Sequence, residues 1–158
     1  MNIFLLNLLV AVLWAALWGS FTLFQLSAGF VLGFLVLWLL QPLFGVQDKY
    51  FLRAFRVVRL MLFFVYDLAV SSIRVAYDVL TPTDYSNPKI IKMPLDVKSD
   101  IEILLVTNLI SLTPGTLSLD VTPDRKTLLV HAMFADDPDA VIASLKQGTE
   151  RMVKEVFE

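Results

Sequence analysis

Cysteine is absent from this 158-residue chain, which excludes disulfides and thiolate metal sites but leaves the compartment open. Histidine occurs once, as His131, so no second imidazole stands at metal-ligand spacing. The largest absence is of charge. Residues 1–47 contain no Asp, Glu, Lys or Arg, and Asp48 is the first charged side chain. A bilayer span needs roughly 20 apolar residues, and this stretch is about twice that length. There is no basic n-region ahead of it, and the apolar run continues past Ala15-Ala16. It therefore reads as retained membrane segments rather than a cleaved signal peptide. The formal net charge of −2 and the lack of a basic tail argue against a nucleic-acid partner.

What is present divides into three parts. Residues 1–46 read as a transmembrane helical hairpin, with Asn2 to Trp18 and Ser20 to Gln41 as spans. Gly19-Ser20 forms the turn, and Pro42 is expected to end the second helix because its ring cannot continue one. Trp14, Trp18 and Trp38 fall where interfacial aromatics often sit. Gly29 and Gly33 make a small-xxx-small pattern, which lets two helices approach closely.

Residues 47–82 read as one long amphipathic helix. At about 100° per residue, Lys49, Arg53, Arg56, Asp67, Ser71, Arg74 and Asp78 fall within roughly 40° of one line, with Arg59 at its edge. The remaining sides are apolar. Such a helix either lies along the membrane with its stripe in water or crosses with its stripe against protein. In the crossing arrangement Asp67 sits near mid-depth, and Arg74 can pair with it or with Asp78. A mid-membrane carboxylate is by default a proton-path candidate, and a structural ion pair explains it equally well. The basic cluster from Lys49 to Arg59 should face the cytoplasm. A full crossing would then carry the tail outside.

Residues 83–158 have the composition of a small soluble α+β domain, in the order β-α-β-β-α. Thr81-Pro82-Thr83-Asp84 ends the long helix. Lys89 to Leu95 is a strand, and Asp100 to Leu112 a helix with Ser99 at its N-cap. Thr116 to Thr122 is a strand expected to bury Leu117, Leu119 and Val121. Thr127 to Phe134 is the return strand. Asp136-Asp137-Pro138 starts the last helix.

No enzyme signature emerges. His131 reads as a hydrogen-bonded strand residue. A triad of Ser118, Asp120 and His131 has no nucleophile elbow or oxyanion loop beside it. Leu112-Thr113-Pro114-Gly115-Thr116 lacks the Lys-Ser or Lys-Thr of a phosphate loop and reads as a helix-to-strand turn. No cofactor or metal is implied.

The run Asn108-Leu109-Ile110-Ser111-Leu112-Thr113-Pro114-Gly115-Thr116, with Asp120 and Val130-His131 downstream, resembles the E subunit of Mrp-type multisubunit cation/proton antiporters. The Gly29/Gly33 hairpin and the charged third helix match as well, so the resemblance covers nearly the whole chain. It implies an accessory, non-catalytic subunit of a bacterial cell-membrane complex that exchanges Na⁺ or K⁺ for protons. The implied partners are other membrane subunits and the lipid bilayer, with a cytoplasmic C-terminal domain. A related subunit occurs in membrane-bound hydrogenase complexes. A different class of reading is a membrane-anchored module that recruits a cytosolic partner.

Overall fold

The computed structural model describes residues 3–44, 49–82 and 85–158. The expected boundaries at 46/47 and 82/83, the start of the first span at Asn2, the charge of Asp48 and the Thr83-Asp84 part of the helix-ending turn touch residues outside that range. The chain forms two compact units, Met1–Ala54 and Phe55–Glu158.

The first unit holds α1 (Ile3–Leu17), α2 (Leu23–Phe44) and the opening turn of α3 (Tyr50–Leu80). Helix α1 ends in a paired motif: Gly19 N–H donates to Ala16 O and Ser20 N–H to Ala15 O. This closure needs a left-handed residue after the cap, and Gly19 supplies it at φ 64°. The link to α2 is longer than the Gly19-Ser20 turn expected, because Thr22 Oγ1 accepts from Gln25 N–H at 3.2 Å and sets the start of α2 at Leu23. Pro42 does not end α2, which runs on to Phe44. A proline removes one helical hydrogen bond. With only two residues beyond it, that loss is confined to the last turn.

Helices α1 and α2 meet through small residues. A Cβ on Gly29 would lie 2.8 Å from Trp14 Cβ and 3.0 Å from the Ala11 backbone, and one on Gly33 would lie 2.3 Å from Asn7 Oδ1. Trp14 Nε1 donates to Gln25 Oε1 at 3.2 Å. Contacts that pair 7 with 33, 11 with 29 and 14 with 25 run in opposite directions along the two helices. Only α2, over Leu23–Gln41, is long and apolar enough by itself to cross a membrane among the described residues; α1 is apolar but shorter.

The second unit contains most of α3 and a three-stranded antiparallel sheet of order β1-β3-β2, with β1 Lys89–Pro94, β2 Thr116–Val121 and β3 Thr127–Ala132. Helix α4 (Asp100–Leu112) joins β1 to β2. Helix α5 (Pro138–Leu145) continues through a π-helical turn, Lys146–Glu150, into α6 (Arg151–Phe157). The core gathers Ile91 and Met93 from β1, Leu128 and Val130 from β3, Ile103, Val106 and Ile110 from α4, and Val153 from α6. Leu60 of α3 and Leu145 of α5 pack at its margin. Burying each large apolar side chain of this kind contributes about 1.5–3 kcal/mol.

Strand β2 corrects the sequence reading. Leu117 and Leu119 are exposed, at 48% and 47%, while Thr116 and Ser118 are half-buried. The Ser118 hydroxyl donates to Thr107 O at 2.9 Å, and Ser118 N–H donates to Ser111 Oγ at 3.0 Å. These bonds to α4 draw the polar set inward. The pairing then shifts between Ser118, opposite Val130, and Asp120, opposite Leu129. Leu119 is the extra residue of a bulge. Past it Val121 returns to the core side, opposite the buried Leu128.

Helix α4 begins with a reciprocal cap, in which Glu102 N–H donates to Ser99 Oγ and Ser99 N–H donates to Glu102 Oε2. The bond from the Ser99 hydroxyl, reinforced by backbone N–H donors, holds the Glu102 carboxyl below its usual pKa of 4.5. Ser99→Ala is expected to cost about 1 kcal/mol at neutral pH. Because the folded pKa is depressed, the charge-dependent share is present above 4.5 and lost as pH falls through the folded value. Thermal melts of the two proteins should therefore converge in acid.

Candidate functional site

The charged stripe of α3 has a definite partner: the C-terminal part of the same compact unit. Arg56 Nη1 donates to Glu155 O at 2.6 Å, and Arg59 Nη2 lies 2.9 Å from Glu155 Oε2. Phe63 packs where a side chain on Gly148 would stand, 2.9 Å from its Cβ position. Further along, the Thr113 hydroxyl lies 3.2 Å from Asp67 Oδ2 and 3.0 Å from Leu109 O, sharing one proton between them. Arg74 does not pair with Asp67 or Asp78. Its guanidinium stacks 4.3 Å from the centroid of the Phe134 ring, a cation–π contact that satisfies the charge without a carboxylate. Asp78 Oδ1 accepts from Tyr85 N–H at 2.8 Å.

The 113–116 turn is the junction of this seam. Thr113 ends α4, and Thr116 Oγ1 donates to Ile110 O at 2.6 Å, so a freed helix carbonyl is satisfied by a side chain. Gly115 adopts φ 87°, and its carbonyl accepts from Met133 N–H at 2.8 Å. Pro114 between them cannot continue the helix. Asn108 Nδ2 donates to Leu104 O, one turn back in α4, at 2.8 Å. The motif residues thus cap α4, launch β2 and bring Thr113 to Asp67. Beside them lies a cleft of about 480 Å³, lined by Asp67, Ser71, Arg74, Thr116, Phe134 and Asp136 among others.

Two motif residues stand apart. His131 pairs with Ile90 and Leu117 on the outer sheet face, opposite to the side of Ser118. Asp120 Oδ1 accepts from the adjacent Val121 N–H at 2.8 Å. The Ser118, Asp120, His131 combination therefore does not converge. Among the described residues, no three His, Asp or Glu side chains are grouped to hold a metal ion.

Two polar residues escaped the sequence reading. Asn7 is fully buried within α1, donates from Nδ2 to Tyr50 Oη at 3.2 Å, and keeps an unpartnered Oδ1 beside Gly33. An amide in a segment otherwise apolar is the signal that marks it. Glu150 is only 2% exposed, and its Oε1 accepts from Asp96 N–H at 2.6 Å and Val97 N–H at 3.2 Å. The Lys146 ammonium, 3.4 Å from Glu150 Oε2, is its counter-ion. Lys146 also reaches Asp96 Oδ2 at 2.8 Å. Burial alone would depress the Lys146 pKa. The Asp96 bond and the Glu150 charge outweigh it and raise the value above 10.5.

The motif geometry is structural, so comparison with known proteins decides the family. A family model described as Na⁺/H⁺ ion antiporter subunit matches residues 7–156. The chain belongs to this Na⁺/H⁺ antiporter subunit family. The E subunit of the Na⁺/H⁺ antiporter of Alkalihalophilus pseudofirmus is 35% identical over 152 residues, 96% of either chain. The E1 subunit of the Staphylococcus haemolyticus antiporter is 32% identical over 154 residues, 98% of this chain and 96% of the relative. The fold recurs in a chain of the membrane-bound sulfane sulfur reductase, an archaeal respiratory membrane complex, with TM-score 0.61 and 20% identity over 99% of this chain and 100% of that one. This member of the antiporter subunit family pairs a helical N-terminal region with a small three-stranded α+β unit.

Proposed function

We propose that this chain is an accessory, non-catalytic subunit of a multisubunit monovalent cation/proton antiporter in the bacterial cell membrane. Its partners are the other membrane subunits and the bilayer. The observation that carries this reading is the match to E subunits of Na⁺/H⁺ antiporters over nearly the whole chain. The geometry agrees with an assembling role. Arg56, Arg59, Asp67 and Arg74 of α3 are engaged by hydrogen bonds, stacking and an ion pair with the chain's own domain, which supports a structural use of these charges. The family motif likewise closes a helix end.

In this reading α1 and α2 form the membrane hairpin, held by Gly29, Gly33 and Asn7. The C-terminal domain is cytoplasmic, on the side of Arg53, Arg56 and Arg59, as basic flanks favour. The test is purification of the tagged chain from membranes in mild detergent. Several other hydrophobic subunits should co-purify in fixed proportion. Recovery of the chain alone, as a stable monomer, would sink the reading.

A further inference from the structure

Within the second unit, the side of α3 away from the domain has no partner among the described residues, and its chemistry is uniform. Phe55, Val58, Leu62, Val65, Ile73 and Leu80 are all exposed. Met61, Tyr66, Ala69, Ala76 and Val79 lie among them, and Ser72 turns its hydroxyl back to Leu68 O at 2.6 Å. No charged side chain falls on this face. From Phe55 to Leu80 it runs for about 38 Å.

The opposite side is covered along most of that length. Contacts to the domain begin at Arg56 and reach Arg74, about 27 Å apart along the helix. That distance is close to the full hydrocarbon thickness of a bilayer, about 30 Å. A crossing α3 would therefore drag the domain that sits on it into hydrocarbon. The domain exposes Lys92, Asp96, Lys98, Asp100, Asp124 and Lys126, none of them tolerable there. Crossing is excluded by the helix's own partner.

We infer that α3 lies in the plane of the membrane surface, with its apolar face sunk into the headgroup and acyl boundary and the domain riding on its polar face. The occupant of the apolar face is lipid. Three observations choose it. The face is charge-free along its whole length, as an interfacial helix requires. Basic Arg59, at the edge of the polar stripe, and Arg53, within it, are both exposed in the first turns, where anionic headgroups are met. Only five residues separate Phe44 of α2, the helix able to span a bilayer, from the start of α3 at Tyr50, so α3 begins close to the membrane surface. The inference rests on membrane location and not on the antiporter role, so failure of co-purification would leave it standing.

The chain has no native cysteine, which makes single-cysteine probes direct. Val58→Cys, Leu62→Cys, Ile73→Cys and Leu80→Cys, each in the full chain as it purifies from membranes and reconstituted in phosphatidylethanolamine/phosphatidylglycerol vesicles, would carry a nitroxide. Oxygen and water-soluble nickel-complex accessibilities give the depth of each label. All four should be lipid-exposed at one shallow depth, about 5–10 Å below the headgroups. A depth that changes steadily from 58 to 80 would overturn the inference, as would labels open to the nickel complex or labels closed to both reagents, the mark of a covering protein. Arg53→Cys and Lys98→Cys keep the question open to an independent answer. Both should react with an impermeant maleimide from the same side of sealed vesicles. Reaction from opposite sides would contradict the in-plane helix.

Discussion

Gly29→Leu is expected to abolish stable packing of α1 on α2 and to remove the chain from its complex. The space beside Gly29 is bounded by the Ala11 backbone and by the Cβ of Trp14. Even a methyl group would meet Ala11 Cα and O at 3.0 Å and Trp14 Cβ at 2.8 Å. None of the three atoms sits at the end of a flexible side chain, so the helices must separate. Overpacking by a methyl group costs about 1–3 kcal/mol, and an isobutyl group in the same place costs more. Gly33 makes an informative contrast. Its nearest neighbour is Asn7 Oδ1, at 2.3 Å from the Cβ position, and that amide can move. Gly33→Ala should be milder, and combining it with Asn7→Ala should cost less than the sum of the two changes. Stability in a denaturing-detergent titration, with co-purification as the second readout, checks both.

Glu150→Ala is expected to be the most damaging single change in the α+β unit, at about 3 kcal/mol. It leaves two backbone N–H donors, those of Asp96 and of the buried Val97, without their acceptor, and it strips Lys146 of a counter-ion at 3.4 Å. Glu150→Gln keeps an acceptor oxygen and should lose less. The same cluster sets an alkaline limit. The folded pKa of Lys146 is raised above 10.5, so its contribution is complete below 10.5 and is lost as pH rises through the folded value. The stability gap between the wild type and Glu150→Ala should narrow at the most alkaline pH. Thermal melts across that range measure it.

Much of this architecture is legible in residue order. The charge-free opening, the single stripe of α3, the Ser99 cap and the Asp137-Pro138 helix start each follow from local chemistry. What the order conceals is pairing at a distance. The alternation in β2 points Leu117 and Leu119 inward, and bonds from Ser118 to α4 reverse it. The bulge that restores Val121 has no marker in the sequence. The stripe on α3 is visible as a stripe, but nothing local says that its partners lie 46 to 99 residues further on. Arg74 illustrates the point: two carboxylates at helical spacing look like its partners, and an aromatic ring from the end of the sheet takes their place. Asn7 and Glu150 were hidden for the same reason. Their meaning lies in Gly33 and Tyr50, and in the amides of Asp96 and Val97.

The accessory role is tested most directly by Na⁺/H⁺ exchange in everted membrane vesicles from cells that lack this chain and carry it back as wild type or as Asp67→Asn. The account predicts loss of exchange without the chain and full recovery with either form, since it assigns Asp67 only the structural role of accepting from the Thr113 hydroxyl, which an asparagine oxygen can keep. A complex assembled to normal levels with Asp67→Asn but inactive in exchange would contradict it.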